Sequence, residues 1–106
     1  MAHSAQESRV LNRNIETIKN KIRQIGSSNL KVEIKSENNT NTGCWFRIHH
    51  GMSFVSYGEK ITVTLTYLGE DKTQIDIVSE CGMPTQIIDY GKNKKNVAAI
   101  FDYIIS

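Results

Sequence analysis

Lys60-Ile61-Thr62-Val63-Thr64-Leu65-Thr66-Tyr67-Leu68, then Gly69-Glu70-Asp71-Lys72, then Thr73-Gln74-Ile75-Asp76-Ile77-Val78-Ser79 is the stretch on which the fold turns. Ile61, Val63, Leu65 and Tyr67 alternate with Thr62, Thr64 and Thr66, the period of a strand with one face buried. Threonine, branched at Cβ, suits the exposed face of such a pleat. Beyond the turn, Ile75 and Ile77 face one way and Gln74, Asp76 and Val78 the other. Two alternating runs joined by a turn of hairpin length predict an antiparallel pair with one covered face.

Upstream, Cys44 to His49 is rich in strand formers, and Leu30, Val32 and Ile34 alternate with Lys31, Glu33 and Lys35. Between them the polar cluster from Glu37 to Gly43 reads as a turn that ends the earlier strand, because Asn and Gly accept left-handed backbone. Asn38-Asn39-Thr40 has the form of a glycosylation sequon but is read as part of that turn. Gly51 to Gly58 is compatible with a short irregular strand or a bulged loop, and Gln86-Ile87-Ile88 with a short edge strand.

At both ends the period changes. Leu11, Ile15, Ile18, Ile22 and Ile25 recur at intervals of three and four, which predicts a helix running from Ser4 to Ile25. Ser4 with Glu7 has the form of a capping box, and Gly26 supplies a stop. Opposite the stripe, Arg9, Arg13, Lys19, Asn20, Lys21 and Arg23 would form a solvated basic face. Val97, Ile100, Phe101 and Ile104 give a second helix an apolar face. The expected fold is α+β: an antiparallel sheet of about four to five strands, with an N-terminal and a C-terminal helix on one face. Residues 1–106 read as one domain, and Met1 to His3 are given no weight.

The 106 residues, 39% hydrophobic and 23% charged, suffice for one core. A net charge of +2 is too small to announce a nucleic-acid partner, which is therefore disfavoured. Cys44 and Cys81 have no metal-ligand or disulfide-framework spacing. With no signal-like start and no run of membrane-span length, the expected setting is cytoplasmic.

Gly51-Met52-Ser53-Phe54, Ser56-Tyr57-Gly58-Glu59-Lys60-Ile61-Thr62-Val63 and Ile87-Ile88-Asp89-Tyr90-Gly91-Lys92-Asn93, with Asn96-Val97, resemble a group of small uncharacterised bacterial domains. In that group aromatic residues, often Trp, tend to stand at the places of Phe54, Tyr57 and Tyr90. The likeness covers about half of the chain, from Gly51 to Tyr103. The order of elements is similar, at a distance, to a shortened helix-grip domain of the Bet v 1 and START type. This resemblance implies a fold and assigns no site residue.

Among chemistries, His49 and His50 are adjacent on an expected strand, so their side chains point to opposite faces and do not converge on one metal. No nucleophile elbow is present. No metal, cofactor or catalytic group is assigned. Lys92, Lys94 and Lys95, with Asn93, crowd the start of the last helix, where the dipole already places positive partial charge. Each lysine there costs about a few tenths of a kcal/mol, which points to a negative group to be bound. Asp89, two residues before Gly91, is a built-in alternative for that negative group. Trp45, Tyr57 and Tyr90 are the rings that could line a ligand groove. The leading expectation is a binding or accessory domain for an apolar or amphiphilic small ligand or a protein partner, with an anion site at those lysines. Alternatives are a small enzyme using Asp89 or His49 as acid–base group, and a structural or regulatory domain that self-associates.

Overall fold

A computed structural model of the chain describes residues 4–50, 59–81 and 91–106. In chain order these form β1 (Ser4–Leu11), α1 (Ile15–Arg23), a 3₁₀ turn (Ile25–Ser27), β2 (Val32–Thr40), β3 (Gly43–His50), β4 (Glu59–Gly69), β5 (Lys72–Cys81) and α2 (Lys92–Ile105). The five strands make one sheet in the order β1-β5-β4-β3-β2, with every neighbouring pair antiparallel. β2 to β5 form a meander. β1 closes beside β5, so the chain passes from one sheet edge to the other through α1 and the 3₁₀ turn.

The alternation read along β4 and β5 is observed as far as Leu65: Ile61, Val63 and Leu65, with Ile75 and Ile77, are buried, and the threonines between them are not. Tyr67, expected on the same face, is instead exposed at the turn end of β4, where the register with β5 shifts. Phe46 and Ile48 continue this inner face on β3. Ile18 and Ile22 of α1, Ile25 of the 3₁₀ turn, and Val97, Ile100, Phe101 and Ile104 of α2 pack against it. Each such side chain contributes roughly 1.5–3 kcal/mol of burial, so the two stripes hold both helices on one sheet face.

Two expectations need correction. Ser4 to Leu11 is a strand, not the first half of a helix, and Ser4 and Glu7 form no capping box. The helical stripe has no apolar member before Leu11, whereas Ala5 and Leu11 pack on the core from alternate positions of a strand that satisfies the open edge of β5. The true N-cap is Asn14, whose Oδ1 accepts from the Glu16 amide at 2.8 Å and whose Nδ2 donates to the Glu70 carbonyl at 2.7 Å. The basic face dissolves accordingly. Arg9 lies over the Phe101 ring, 4.4 Å from its centroid, and Arg13 donates to the carbonyls of Ile104 and Ile105 at the end of α2. Arg23 makes a two-pronged pair with Glu37, whose carboxyl that hydrogen bond holds below its ordinary range.

The polar segment from Glu37 onward likewise does not end β2, which runs on to Thr40 with Asn38 opposite Trp45 and Asn39 opposite Cys44. Cross-strand pairing overrides the local turn preference of the asparagines. A register shift between Ile34 and Ser36 turns Glu37 toward α1, where it meets Arg23. Gly43 opens β3 where a Cβ would stand 1.9 Å from the Leu65 carbonyl oxygen, so only glycine fits that approach to β4. Gln86–Ile88 and Gly51–Gly58 lie outside the described residues.

Candidate functional site

Among the described residues, the buried polar groups other than Thr73, which donates to the Arg13 carbonyl near the β4–β5 turn, gather at one end of the sheet. Glu59 extends the inner face of β4 by one step beyond Ile61, and Ser79, directly across from Ile61, extends that of β5 beyond Ile77. Both are buried, Glu59 to 3% exposure. Asn93 and Asn96 stand on the first turns of α2, on the side that carries Val97 and Ile100, and are buried too. His50, at the end of β3 and opposite Glu59 in register, completes the group.

These residues are hydrogen-bonded in a chain. Glu59 Oε1 accepts from His50 Nδ1 at 3.0 Å and from Asn96 Nδ2 at 2.9 Å. Asn96 Nδ2 also donates to Ser79 Oγ at 3.3 Å, and Ser79 Oγ donates to Asn93 Oδ1 at 2.8 Å. A carboxylate taken out of water costs several kcal/mol unless it is paired and hydrogen-bonded, and here two donors meet one of its oxygens. Glu59 meets Asn96 in the N-terminal half of α2, where the helix dipole favours a negative group.

Beside this chain a cleft lies between α2 and the β2–β3–β4 half of the sheet, lined by Leu30, Val32, His50, Ile61, Asn96, Ala99 and Ile100. Its volume is about 30 Å³, room for water but far below the ~300–1,000 Å³ of drug-sized sites. The walls are aliphatic except for His50 and Asn96. His50 is thus a ring about one-third exposed, tied on one side to a buried carboxylate and bordering an apolar cleft on the other. A carboxylate that orients an imidazole through Nδ1 fixes its tautomer and leaves Nε2 to act as acceptor, donor or base.

The residues singled out in the sequence are only partly brought together. Lys94 and Lys95 are exposed on the first turn of α2, and Asn93 is buried beneath it, bonded to Ser79. Lys92 is the first residue of α2, with Gly91 as its cap in left-handed backbone at φ 77°. Trp45 does not join them. Its neighbours Cys44 and Phe46 face the core, so Trp45 lies on the sheet face away from the helices, with the Arg47 guanidinium 5.5 Å from its ring centroid. Tyr57, Tyr90 and Asp89 lie outside the described residues. His49 sits on the outer face opposite Lys60 and Glu33, away from the cleft. No group of three or more potential metal ligands converges among the described residues. No described helix is long and apolar enough to cross a membrane.

His50, Glu59, Ser79 and Asn96 were missed as a set by residue-type reasoning. The signal existed: Glu59 and Ser79 continue inward-facing registers, and Asn93 and Asn96 share the apolar helix face, so each is a polar residue at a core position.

No family model matches the chain, and no curated protein matches it in sequence. Solved structures do. A START superfamily protein from Mycobacterium smegmatis superposes with a TM-score of 0.52 at 11% identity, over 98% of this chain and 92% of that one. An uncharacterised protein from Bacillus thuringiensis superposes with a TM-score of 0.52 at 9% identity, over 93% and 90%. At such identities the likeness is one of fold alone: an antiparallel sheet with an N-terminal and a C-terminal helix packed on one face.

Proposed function

We propose that the chain is a binding domain for a small apolar or amphiphilic ligand, taken between α2 and the β2–β3–β4 half of the sheet. The observation that carries this reading is the aliphatic cleft whose polar wall is His50 and Asn96, both anchored on buried Glu59. Apolar walls with a few fixed polar groups are what small-molecule sites share. Because the cleft holds about 30 Å³, binding requires its wall to yield, and α2 is the element whose displacement opens it. The helix-grip fold supports the reading by analogy of architecture. The test is a native mass spectrum of protein purified from cells without refolding, set against the denatured mass. Mass lost on denaturation identifies a ligand; a bare chain that also takes up no apolar probe in titration sinks the proposal.

Exposed Lys94 and Lys95 stand on the first turn of α2, just before Asn96 of the cleft wall, and would give an amphiphile's anionic end a place outside it. Replacing the two lysines by alanine is expected to weaken binding of an anionic amphiphile and to leave a neutral one unchanged. Equal loss for both, or for neither, removes the lysines from the site. A second reading, a small acid–base enzyme, now rests on His50 rather than His49, since His50 has a carboxylate orienter at 3.0 Å.

A further inference from the structure

We infer that the group this cleft selects is a neutral hydroxyl, which bridges His50 Nε2 and Asn96 Oδ1; the inference rests on the binding reading above and names its ligand class. The argument is one of donors and acceptors. Both partners of Glu59 Oε1 are nitrogens, so His50 Nδ1 donates and Asn96 presents its amide nitrogen there. Ser79 Oγ gives its proton to Asn93 Oδ1, so toward Asn96 it accepts, which again requires the amide nitrogen on that side. The amide orientation of Asn96 is thereby fixed from two directions, and its oxygen is turned to the other side. The cleft, which both residues line, therefore offers an imidazole Nε2 and an amide oxygen in otherwise aliphatic walls.

A carboxylate in this place meets the Asn96 oxygen, an acceptor, and lies close to the buried negative charge of Glu59. An ether or a hydrocarbon leaves the amide oxygen without a donor. A hydroxyl donates to Asn96 Oδ1 while accepting from a protonated His50; beside the neutral ring its single proton goes to either Nε2 or Oδ1, and water serves the other.

The experiment titrates ¹⁵N-labelled full chain with phenol, anisole and benzoate, one ring with three head groups, and follows amide and Asn96 side-chain resonances. Phenol is expected to perturb the Asn96 side chain and the residues around Ile61 and Ile100, and to bind about tenfold more tightly than anisole, the worth of one buried hydrogen bond. Benzoate is expected to bind most weakly. In His50→Leu the advantage of phenol over anisole should fall below about threefold; should that variant not fold, the three wild-type affinities decide alone. Anisole or benzoate binding at the cleft as well as phenol overturns the hydroxyl inference while upholding the binding reading. None of the three perturbing the cleft overturns both.

Discussion

At the scale of single residues, Ser79 carries more structure than its size suggests. Its hydroxyl is the hinge between Asn93 and Asn96, the polar side chains that α2 buries against the sheet. Ser79→Ala takes one hydrogen bond from each of those amides in a buried place, and about 1–3 kcal/mol of stability should be lost in urea denaturation. A change within about 0.5 kcal/mol means that water reaches the site. Cys44 offers a second test. It is a buried free thiol, and burial pushes its pKa up. The folded thiol therefore stays protonated after the unfolded one ionises: stability is whole below about pH 8.5 and declines as pH rises beyond it. Native protein should leave Cys44 unlabelled by iodoacetamide at pH 8, read by peptide mass spectrometry, while protein in denaturant is labelled fully. Labelling at equal rates contradicts the burial. Of these residues Cys44 was legible in the sequence only as a small apolar side chain on a strand, and Ser79 only as the end of one. A hydroxyl's partners belong to other elements, and nothing local names them.

At the scale of elements, α1 shows how a periodic stripe fixes an element's kind but not its limits. Ile15, Ile18 and Ile22 are helical as the spacing requires, yet the eight residues of β1 before them are extended because β5 offers an edge to pair with. The start of α1 is set at Asn14, which caps the helix with its oxygen and ties it to the β4–β5 turn with its nitrogen. Asn14→Ala should cost about 1–2 kcal/mol, measured by thermal or urea unfolding, with Asn14→Asp retaining most of the capping part. Equal loss in both variants would put the weight on the bond to Glu70 instead. β2 teaches the same lesson from the other side. Asn38, Asn39 and Thr40 have turn character, but β3 is in register beside them, and the ladder is worth more than the local preference.

At the scale of the whole molecule, the two helices and the sheet enclose one apolar interior whose only buried polar cluster among the described residues stands at the β3–β4 end. Ile100 is both a core residue and a wall of the cleft. Ile100→Ala should destabilise the fold by about 2–5 kcal/mol and enlarge the cleft, so that benzene raises the variant's melting temperature more than that of the wild type. If benzene stabilises neither, the surrounding side chains have closed over the gap, and the cleft is not a site that expands.

The sequence alone determined the class of this fold. Alternation along Lys60–Ser79 and the threefold and fourfold spacing of the isoleucines are local consequences of strand and helix geometry, so the covered sheet face and both covering helices follow from them. The tertiary structure decided the rest. That Ser4–Leu11 is a strand depends on the free edge of β5, which lies far along the sequence, Leu11 pairing with Thr73 and Ser4 with Glu80. That Glu59 can be buried depends on Asn96, which approaches from another element. Periodicity reports which face of a segment is apolar, because that property repeats within a few residues. A polar residue at a core position acquires its meaning only from the donors and acceptors that folding brings to it, and these are encoded far along the chain.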